Sequence, residues 1–125
     1  MRYALLCYVD EHIWEKVDES VQNDAVQEAV QLAQRIDARG EYLTAARLHP
    51  ASTATSVQLR DGKRTMTDGP FAETKEQLGG FYLIDVPDLD AALRIAEQHP
   101  GARFGTVEVR PVREIAGLPA GRISG

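Results

Sequence analysis

Apolar residues occupy both alternating sets of positions in residues 3–9, which read YALLCYV. A strand with one face in water alternates apolar and polar residues, whereas apolar residues on both sets are typical of a strand that is covered on both faces. Residues 81–86, which read FYLIDV, have nearly the same character. The two segments therefore predict two central strands of one sheet, each with a second face that needs a cover.

Two longer segments repeat apolar residues at helical spacing. The first predicted helix covers residues 20–39, and Gly40 follows it at a position that glycine favours. The second covers residues 89–99, and Asp88 precedes it at the N-cap position. The apolar stripes consist of Val21, Ala25, Ala29, Leu32, Ala33 and Ile36 in the first helix, and of Leu89, Ala92, Leu93 and Ala96 in the second.

Further strands are predicted at residues 42–48, at residues 106–112 and in a hairpin of residues 55–60 and 64–68. Asp61-Gly62, between the two hairpin strands, is a strong signal for a two-residue turn. The order of elements is then strand, helix, strand, hairpin, strand, helix, strand. This order predicts an α+β fold of the ferredoxin-like βαββαβ class, with the β-hairpin as an insertion.

The two predicted helices would cover only one face of such a sheet. Because the central strands are apolar on both faces, the second face needs another cover, and a second copy of the chain packed sheet to sheet would supply it. We therefore expect a homodimer with a polar cleft where its halves meet.

Composition and charge narrow the classes of function. The chain of 125 residues is long enough for one domain, which we assign to residues 1–114, followed by a C-terminal tail of residues 115–125. Its net charge of −5 and its lack of a long basic stretch argue against direct binding of nucleic acid. The apolar run at the start is too short for a membrane span and lacks a cleavage pattern, so we expect a cytoplasmic protein without a membrane partner.

The most unusual connection is the stretch DGPFAETKEQLGG at residues 68–80. In a structural interpretation, Asp68, Gly69 and Pro70 form a rigid turn and Phe71 fills the core. In a functional interpretation, Asp68 is a general base or orients a nearby histidine. Gly79-Gly80 at the end of the stretch would permit a bulge or a close approach of another backbone.

The middle of this stretch is densely charged. Glu73 and Lys75 would form a weak, solvated ion pair in the structural interpretation. In the functional interpretation, Lys75 binds an anionic group while Glu73 exchanges protons. That role requires both side chains to be buried in a cleft, because burial and neighbouring charges are what shift a pKa usefully.

The three histidines are scattered, without a recognised metal spacing, so we expect no metal site. His49 follows a predicted strand and could form an acid–base pair with Asp68, although it could also be an exposed residue at a strand end. His99 would complement the dipole at the end of the second helix. Cys7, the single cysteine, is expected to be a buried thiol rather than a nucleophile, and it cannot form an intramolecular disulfide. The aromatic residues Tyr8 and Trp14 could form part of a cleft wall, although they could also be ordinary core or interface residues.

The segment DGPFAETKEQLGGFYLIDVPDLDAALRIA resembles the signature of the DGPF-domain proteins, which are part of the YCII-related family. The opening MRYALLCYVDE with a tryptophan three positions later, the segment PASTATSVQLRDGK and the closing VEVRPV are also similar to that family, so the resemblance covers residues 1–112. It implies a dimeric α/β barrel of ferredoxin-like subunits and a pocket with potentially catalytic polar residues. Members often occur beside or fused to extracytoplasmic-function sigma factors, which implies such a factor as a partner.

Three hypotheses follow for function. In the first, the homodimer is an enzyme that performs acid–base chemistry on a small anionic molecule without an organic cofactor; Asp68 and His49 handle protons. The residues that would bind the ligand are Lys75, Glu73, Phe71 and Gly69. In the second, the protein is a non-catalytic ligand- or protein-binding module in sigma-factor signalling. In the third, residues 68–80 only build the dimer.

Overall fold

The structure is a computed structural model that describes residues 1–121. It contains six strands and four helices, together with a short 3₁₀ turn at Ala51–Thr53. In chain order the elements are β1 Arg2–Val9, α1 Glu11–Trp14, α2 Glu19–Ala38, β2 Tyr42–Arg47, β3 Thr55–Arg60, β4 Lys63–Asp68, β5 Gln77–Asp85, α3 Leu89–Gln98, α4 Gly101–Phe104 and β6 Thr106–Pro111.

Four strands form one sheet in the order β2-β5-β1-β6, and every neighbouring pair is antiparallel. Strands β3 and β4 form a separate two-stranded sheet, inserted in the chain between β2 and β5. The α+β class is therefore confirmed, and the strand order is compatible with the predicted ferredoxin-like plan and its hairpin insertion. The predicted central strands are β1 and β5, and both have a hydrogen-bonded neighbour on each side.

Helix α2 begins and ends within one residue of the predicted bounds. Its stripe buries Leu32 and Ile36 completely. After the helix, the amide of Gly40 donates to the carbonyl of Asp37 over 2.9 Å, and the amide of Glu41 donates to that of Ile36 over 2.9 Å. This pair of bonds is the Schellman arrangement, and Gly40 adopts the positive φ of 73° that it requires.

Helix α3 begins after Asp88, whose carboxylate accepts a 2.9 Å hydrogen bond from the amide of Ala91, as expected of an N-cap. It presents buried side chains to the same core as α2. The core consists of Tyr3, Leu5, Leu32, Ile36, Tyr82, Ile84, Val86, Ala92, Ile95 and Ala96. The two long helices thus cover one face of the four-stranded sheet.

The other face of the sheet, which we call the open face, carries Ala4 and Leu6 of β1 and Phe81 and Leu83 of β5. These four residues lie opposite one another across the strand pair, and they alternate with the core residues. All four are half-buried. Apolar residues therefore lie on both faces of the central strands, as the sequence pattern predicted.

Strand β5 begins at Gln77, four residues earlier than predicted, so Gly79 and Gly80 lie inside it. The pairing of β1 with β5 shifts here, because Cys7 pairs with Gly80 and Tyr8 pairs with Leu78, which leaves Gly79 as the extra residue of a bulge. A Cβ on Gly80 would lie 2.8 Å from the carbonyl oxygen of Ala46. Both predicted roles of the two glycines, the bulge and the close approach, are present.

Two short helices lie between the predicted elements. Helix α1 forms because the carboxylate of Asp10 accepts hydrogen bonds from the amides of His12 and Ile13, at 3.0 and 3.3 Å. Helix α4 follows Pro100 directly. Residues 112–121 form no helix or strand, and the rest of the predicted tail, residues 122–125, lies outside the described residues. Within the described chain, no helix combines the length and the apolar character needed to span a membrane.

Candidate functional site

A cleft of about 880 Å³ lies between α2 and the helix-covered side of the sheet, next to β2. Its volume falls within the range of small-molecule sites. The side chains that α2 contributes are mostly small and apolar. They are Ala25, Val26, Ala29, Val30 and Ala33, with Gln34 and Asp37 at the end of the helix.

The base of the cleft is formed by residues from three elements that are distant in the sequence. They are Cys7 of β1, Tyr82 of β5 and His99, which directly follows α3. The ring of His99 meets the ring of Tyr82 edge-on, with 5.1 Å between the ring centroids. The antiparallel pairing of β1 with β5 places Cys7 and Tyr82 on the face that α2 and α3 cover.

His99 has a defined hydrogen-bonding state. Its Nδ1 accepts a 2.9 Å hydrogen bond from the amide of Gly101, which requires that nitrogen to be unprotonated. Burial lowers the pKa of His99, with a smaller and opposite contribution from Glu28. The ring is therefore neutral with its proton on Nε2, and it is a hydrogen-bond donor in the cleft. A neutral ring cannot complement the dipole of α3, so that prediction was wrong.

The other two groups at the base of the cleft are held in their protonated states. Burial raises the pKa of Cys7 to about 11, and Sγ lies 3.9 Å from both ring nitrogens of His99. Burial, followed by Cys7 and Tyr42, raises the pKa of Tyr82 to about 12, and its hydroxyl donates to the carbonyl of Ala29. Cys7 is therefore a poor nucleophile at neutral pH, which agrees with the prediction of an inert thiol.

Two contacts join helix α4 to its neighbours α2 and α1. Arg103 of α4 donates two hydrogen bonds to the carboxylate of Glu28 on α2, at 3.0 and 2.6 Å. The hydrogen bond from Arg103 is the main reason that the pKa of Glu28 is lowered. Trp14 of α1 packs edge-on against Phe104 of α4, with ring centroids 5.1 Å apart. Trp14 lines this cleft, which lies within the single chain and is not the cleft expected between the halves of a dimer, and the aromatic pair joins α1 to α4.

The mouth of the cleft is polar and carries charges of both signs. Arg47 is the last residue of β2, and His49 follows it two positions later. The acidic residues are Glu11 of α1, Glu15 directly after α1 and Asp37 of α2. The carboxylate of Glu11 accepts hydrogen bonds of 2.9 and 3.2 Å from the amide of Ala51. Glu11 thereby fixes the segment that follows His49.

Of the residues predicted to form the site, only His49 lines this cleft. Asp68 ends β4 and is exposed, and Glu73 and Lys75 are also exposed. Within residues 1–121 no hydrogen bond joins Asp68 to His49. The roles assigned to these residues therefore remain predictions, and the structure of the single chain does not bring the residues together.

The 68–80 stretch begins with a bend at Gly69 directly after β4, and Phe71 does not anchor it. Gly69 has a φ of 94°, and its amide donates a 2.6 Å hydrogen bond to the carbonyl of Ala54. Phe71 is 84% exposed, so the prediction that it fills the core is wrong for the single chain. Turn chemistry was readable from Asp-Gly-Pro, whereas the direction of the phenylalanine depends on what packs beside it.

The end of the stretch is fixed by hydrogen bonds to other elements. The carboxylate of Glu76 accepts a 2.8 Å hydrogen bond from the hydroxyl of Thr106, and the side-chain oxygen of Gln77 accepts one of 3.2 Å from the amide of Glu11. These contacts connect the stretch to β6 and to α1. Glu76 and Gln77 thus have structural partners in the single chain.

Sequence reasoning missed the grouping of Cys7, Tyr82 and His99. A usable signal was present, because Cys7 and Tyr82 fall on the alternating positions that face the helices. His99 lies before Pro100-Gly101, and a turn there returns the backbone amide of Gly101 to its ring. Within the described chain, no three side chains of His, Cys, Asp or Glu lie together as a metal site.

Comparison with known proteins places the chain in a family. The family model described as the YCII-related domain matches residues 1–116. An uncharacterized protein of Rhizobium meliloti (strain 1021) is 44% identical over 118 residues, which cover 90% of this chain and 92% of that protein. The chain belongs to the YCII-related family.

Proposed function

We propose that the protein binds a small organic acid with an apolar body in the cleft between α2 and the sheet. The observation that carries the proposal is the neutral His99 at the base of a largely apolar cleft of about 880 Å³. Apolar walls favour the body of such a ligand, and a few convergent polar groups fix its orientation. His99 would donate a hydrogen bond from Nε2 to an oxygen of the ligand.

The acid group would lie at the mouth, beside Arg47 and His49. Arg47 offers the guanidinium that pairs best with a carboxylate. Glu15 and Asp37 also line the mouth and oppose an anion there, whereas Glu11 is already bonded to the amide of Ala51. The preference for an acid over its neutral amide is therefore the sharpest property to measure.

Acid–base chemistry in this cleft would rest on His49 and His99, because both line it. His99 would stabilise negative charge that develops on an oxygen of the ligand, and His49 would exchange a proton at the mouth. Asp68 would contribute only if a second copy brings it to the cleft. Binding without turnover would leave the second hypothesis, a non-catalytic ligand-binding module.

We further propose that the active form is a homodimer that packs open face to open face. Ala4, Leu6, Phe81 and Leu83 support this proposal, because they form an apolar surface opposite the helices. Sedimentation would test it with Leu83→Glu, which should convert the dimer to monomer, against Gln27→Glu on the exposed side of α2 as a control. A wild-type protein that sediments as a monomer at all accessible concentrations would contradict it.

The single tryptophan is a built-in reporter for the cleft, because Trp14 lines it. We expect phenylacetate to change the emission of Trp14 and to bind more tightly than phenylacetamide. Ala29→Leu fills the cleft and should abolish the change, whereas Ala38→Leu, on the exposed end of the same helix, should preserve it. His99→Asn retains an acceptor for the amide of Gly101 but removes the Nε2 donor, and it should weaken binding about tenfold.

The same titrations have two outcomes that would contradict the proposed ligand site. If a panel of small aromatic and aliphatic acids, with their amides, leaves the emission of Trp14 unchanged, the ligand class is wrong. If Ala29→Leu and Ala38→Leu bind equally well, the ligand lies outside the cleft.

A further inference from the structure

The hairpin β3–β4 projects from the fold as a sheet of its own. Its two strands pair from Thr55 opposite Asp68 to Arg60 opposite Lys63, and Asp61 and Gly62 form the turn with φ of 50° and 74°. At its base, the hydroxyl of Ser56 donates a 2.9 Å hydrogen bond to the carbonyl of Gly69. An isolated two-stranded hairpin is marginally stable in water, so its order needs another support.

The two faces of the hairpin differ in chemistry. Paired residues point to the same side, so Val57, Leu59 and Met66 share one side, which we call the apolar hairpin face. These three residues are 65%, 65% and 56% exposed. Thr55 and Asp68 lie on the same side at its base, and Arg64 lies there near the turn, where its guanidinium contacts the sulfur of Met66 over 2.9 Å. The opposite side carries Ser56, Gln58, Thr65 and Thr67. Such alternation is typical of an antiparallel sheet with one covered face, although nothing in the described chain covers this one.

The distribution of charge indicates which molecule covers the apolar hairpin face. The hairpin carries three basic residues, Arg60, Lys63 and Arg64, against two acidic ones, Asp61 and Asp68, so its charge is +1. Because the whole chain is at −5, the rest of the chain is at −6. Arg60, Lys63 and Arg64 form what we call the basic tip, which is therefore attracted to an acidic surface such as that of the rest of this protein. The rest of the protein also has an uncovered apolar surface, the open face.

We propose that the apolar hairpin face packs on a second copy of the chain, beside the open face, with the basic tip against that copy's acidic surface. The proposal rests on the homodimer proposed above and adds a second contact between the two copies, made by the hairpin, which we call the clasp. In a two-fold dimer the contact occurs twice, because each copy gives one hairpin and receives one. Dimerisation then supplies the support that a lone hairpin lacks.

The first test removes the apolar contact without removing strand propensity. A triple variant, Val57→Thr, Leu59→Thr and Met66→Thr, keeps residues that are favoured in strands. The matched control changes the opposite side by Ser56→Thr, Gln58→Thr and Thr67→Ser. We expect the dimer dissociation constant, measured by sedimentation equilibrium, to rise about 100-fold in the first variant and less than about threefold in the control.

The second test does not depend on the stability of the hairpin. The substitutions Arg60→Gln and Lys63→Gln alter exposed side chains near the turn, on the side opposite the apolar hairpin face. They should weaken the dimer about tenfold at roughly 0.05 M salt and little at roughly 0.5 M salt, because salt screens such attraction. Hydrogen exchange of residues 55–68 should be slow at concentrations where the protein is dimeric and fast after dilution to monomer.

Dissociation constants at the wild-type value in both variants would overturn the proposal, and so would hydrogen exchange that is independent of concentration. In that case the sheet-to-sheet dimer and the ligand cleft would stand, since Leu83→Glu and the emission of Trp14 test them separately. A monomeric wild type would overturn the clasp and the dimer together and leave the cleft proposal untouched.

Discussion

The cleft and the 68–80 stretch differ in where their polar groups lie. The stretch places Asp68, Glu73 and Lys75 close together in the sequence, yet all three are exposed. The base of the cleft draws Cys7, Tyr82 and His99 from three distant elements, and burial shifts the pKa of each. A dense run of charges in a sequence therefore does not locate a site, because desolvation is what makes such groups chemically unusual.

The same comparison divides the 68–80 stretch into its two ends and its charged middle, which have different explanations. Asp-Gly-Pro and Gly-Gly at the ends of the stretch are explained by backbone geometry, through the positive φ of Gly69 and the close approach of Gly80 to Ala46. The charged middle has no such explanation in the single chain. Its interpretation depends on the proposed homodimer, which the Phe71→Ala substitution can test.

The largest expected difference in the free energy of unfolding is between a substitution in the core and one in the exposed part of the 68–80 stretch. Ile84→Ala removes a fully buried side chain and should reduce the free energy of unfolding by about 2–5 kcal/mol. Phe71→Ala should change it by less than about 0.5 kcal/mol, because the ring is 84% exposed in the single chain. Urea denaturation measures both. A loss above about 1 kcal/mol for Phe71→Ala would show that the ring is buried in the assembly and would favour the loop as a builder of the dimer.

The two glycines that join the loop to the cleft should differ from each other. Gly80→Ala places a Cβ 2.8 Å from the carbonyl oxygen of Ala46, which belongs to the neighbouring strand, so β2 and β5 must separate locally. We expect a loss of about 1–3 kcal/mol in the free energy of unfolding. Gly79→Ala is the matched control, because its Cβ would find its first neighbour at 3.7 Å, an ordinary contact. Equal thermal stability of the two variants would contradict the strand spacing described above.

Much of the fold was readable from residue patterns alone. Apolar residues on both alternating sets of positions identified the two central strands, and apolar residues at helical spacing identified α2 and α3, because these patterns follow from local geometry. The Asp61-Gly62 turn and the Asp88 cap were readable for the same reason. Strand β5 was predicted four residues too short, because two glycines resemble a loop until a bulge and a close neighbour explain them.

The candidate site was less readable, because it depends on contacts between distant residues. His49 was predicted as a partner of Asp68, and it lines the cleft within the single chain without Asp68. His99 was assigned only to the end of a helix, and its place at the base of the cleft was not predicted. The ring of His99 acquires its state from the amide of Gly101 and from burial beside Tyr82. Sequence patterns give the face on which a residue lies, but they do not give the volume left between a helix and a sheet.

The smallest predicted effect is a pH dependence that belongs to the cleft and not to the loop. Burial places the pKa of His99 in the folded state below its ordinary value of 6.5, which applies to the unfolded chain, so the unfolded state binds the proton more readily as the pH falls. The contribution of His99 to stability is therefore complete above about pH 6.5, and it declines as the pH falls from there through the folded-state pKa.

His99→Asn should flatten the decline of unfolding free energy just below pH 6.5, measured by urea denaturation, while His12→Asn at an exposed position should retain it. The pairing of Glu28 with Arg103 acts in a separate window, because a carboxyl with a lowered pKa loses its stabilisation only as the pH falls below the ordinary value of 4.5. A slope just below pH 6.5 that persists in His99→Asn would mean that this ring is not the buried neutral group. The donor assigned to the base of the cleft would then have to be sought elsewhere among its lining residues.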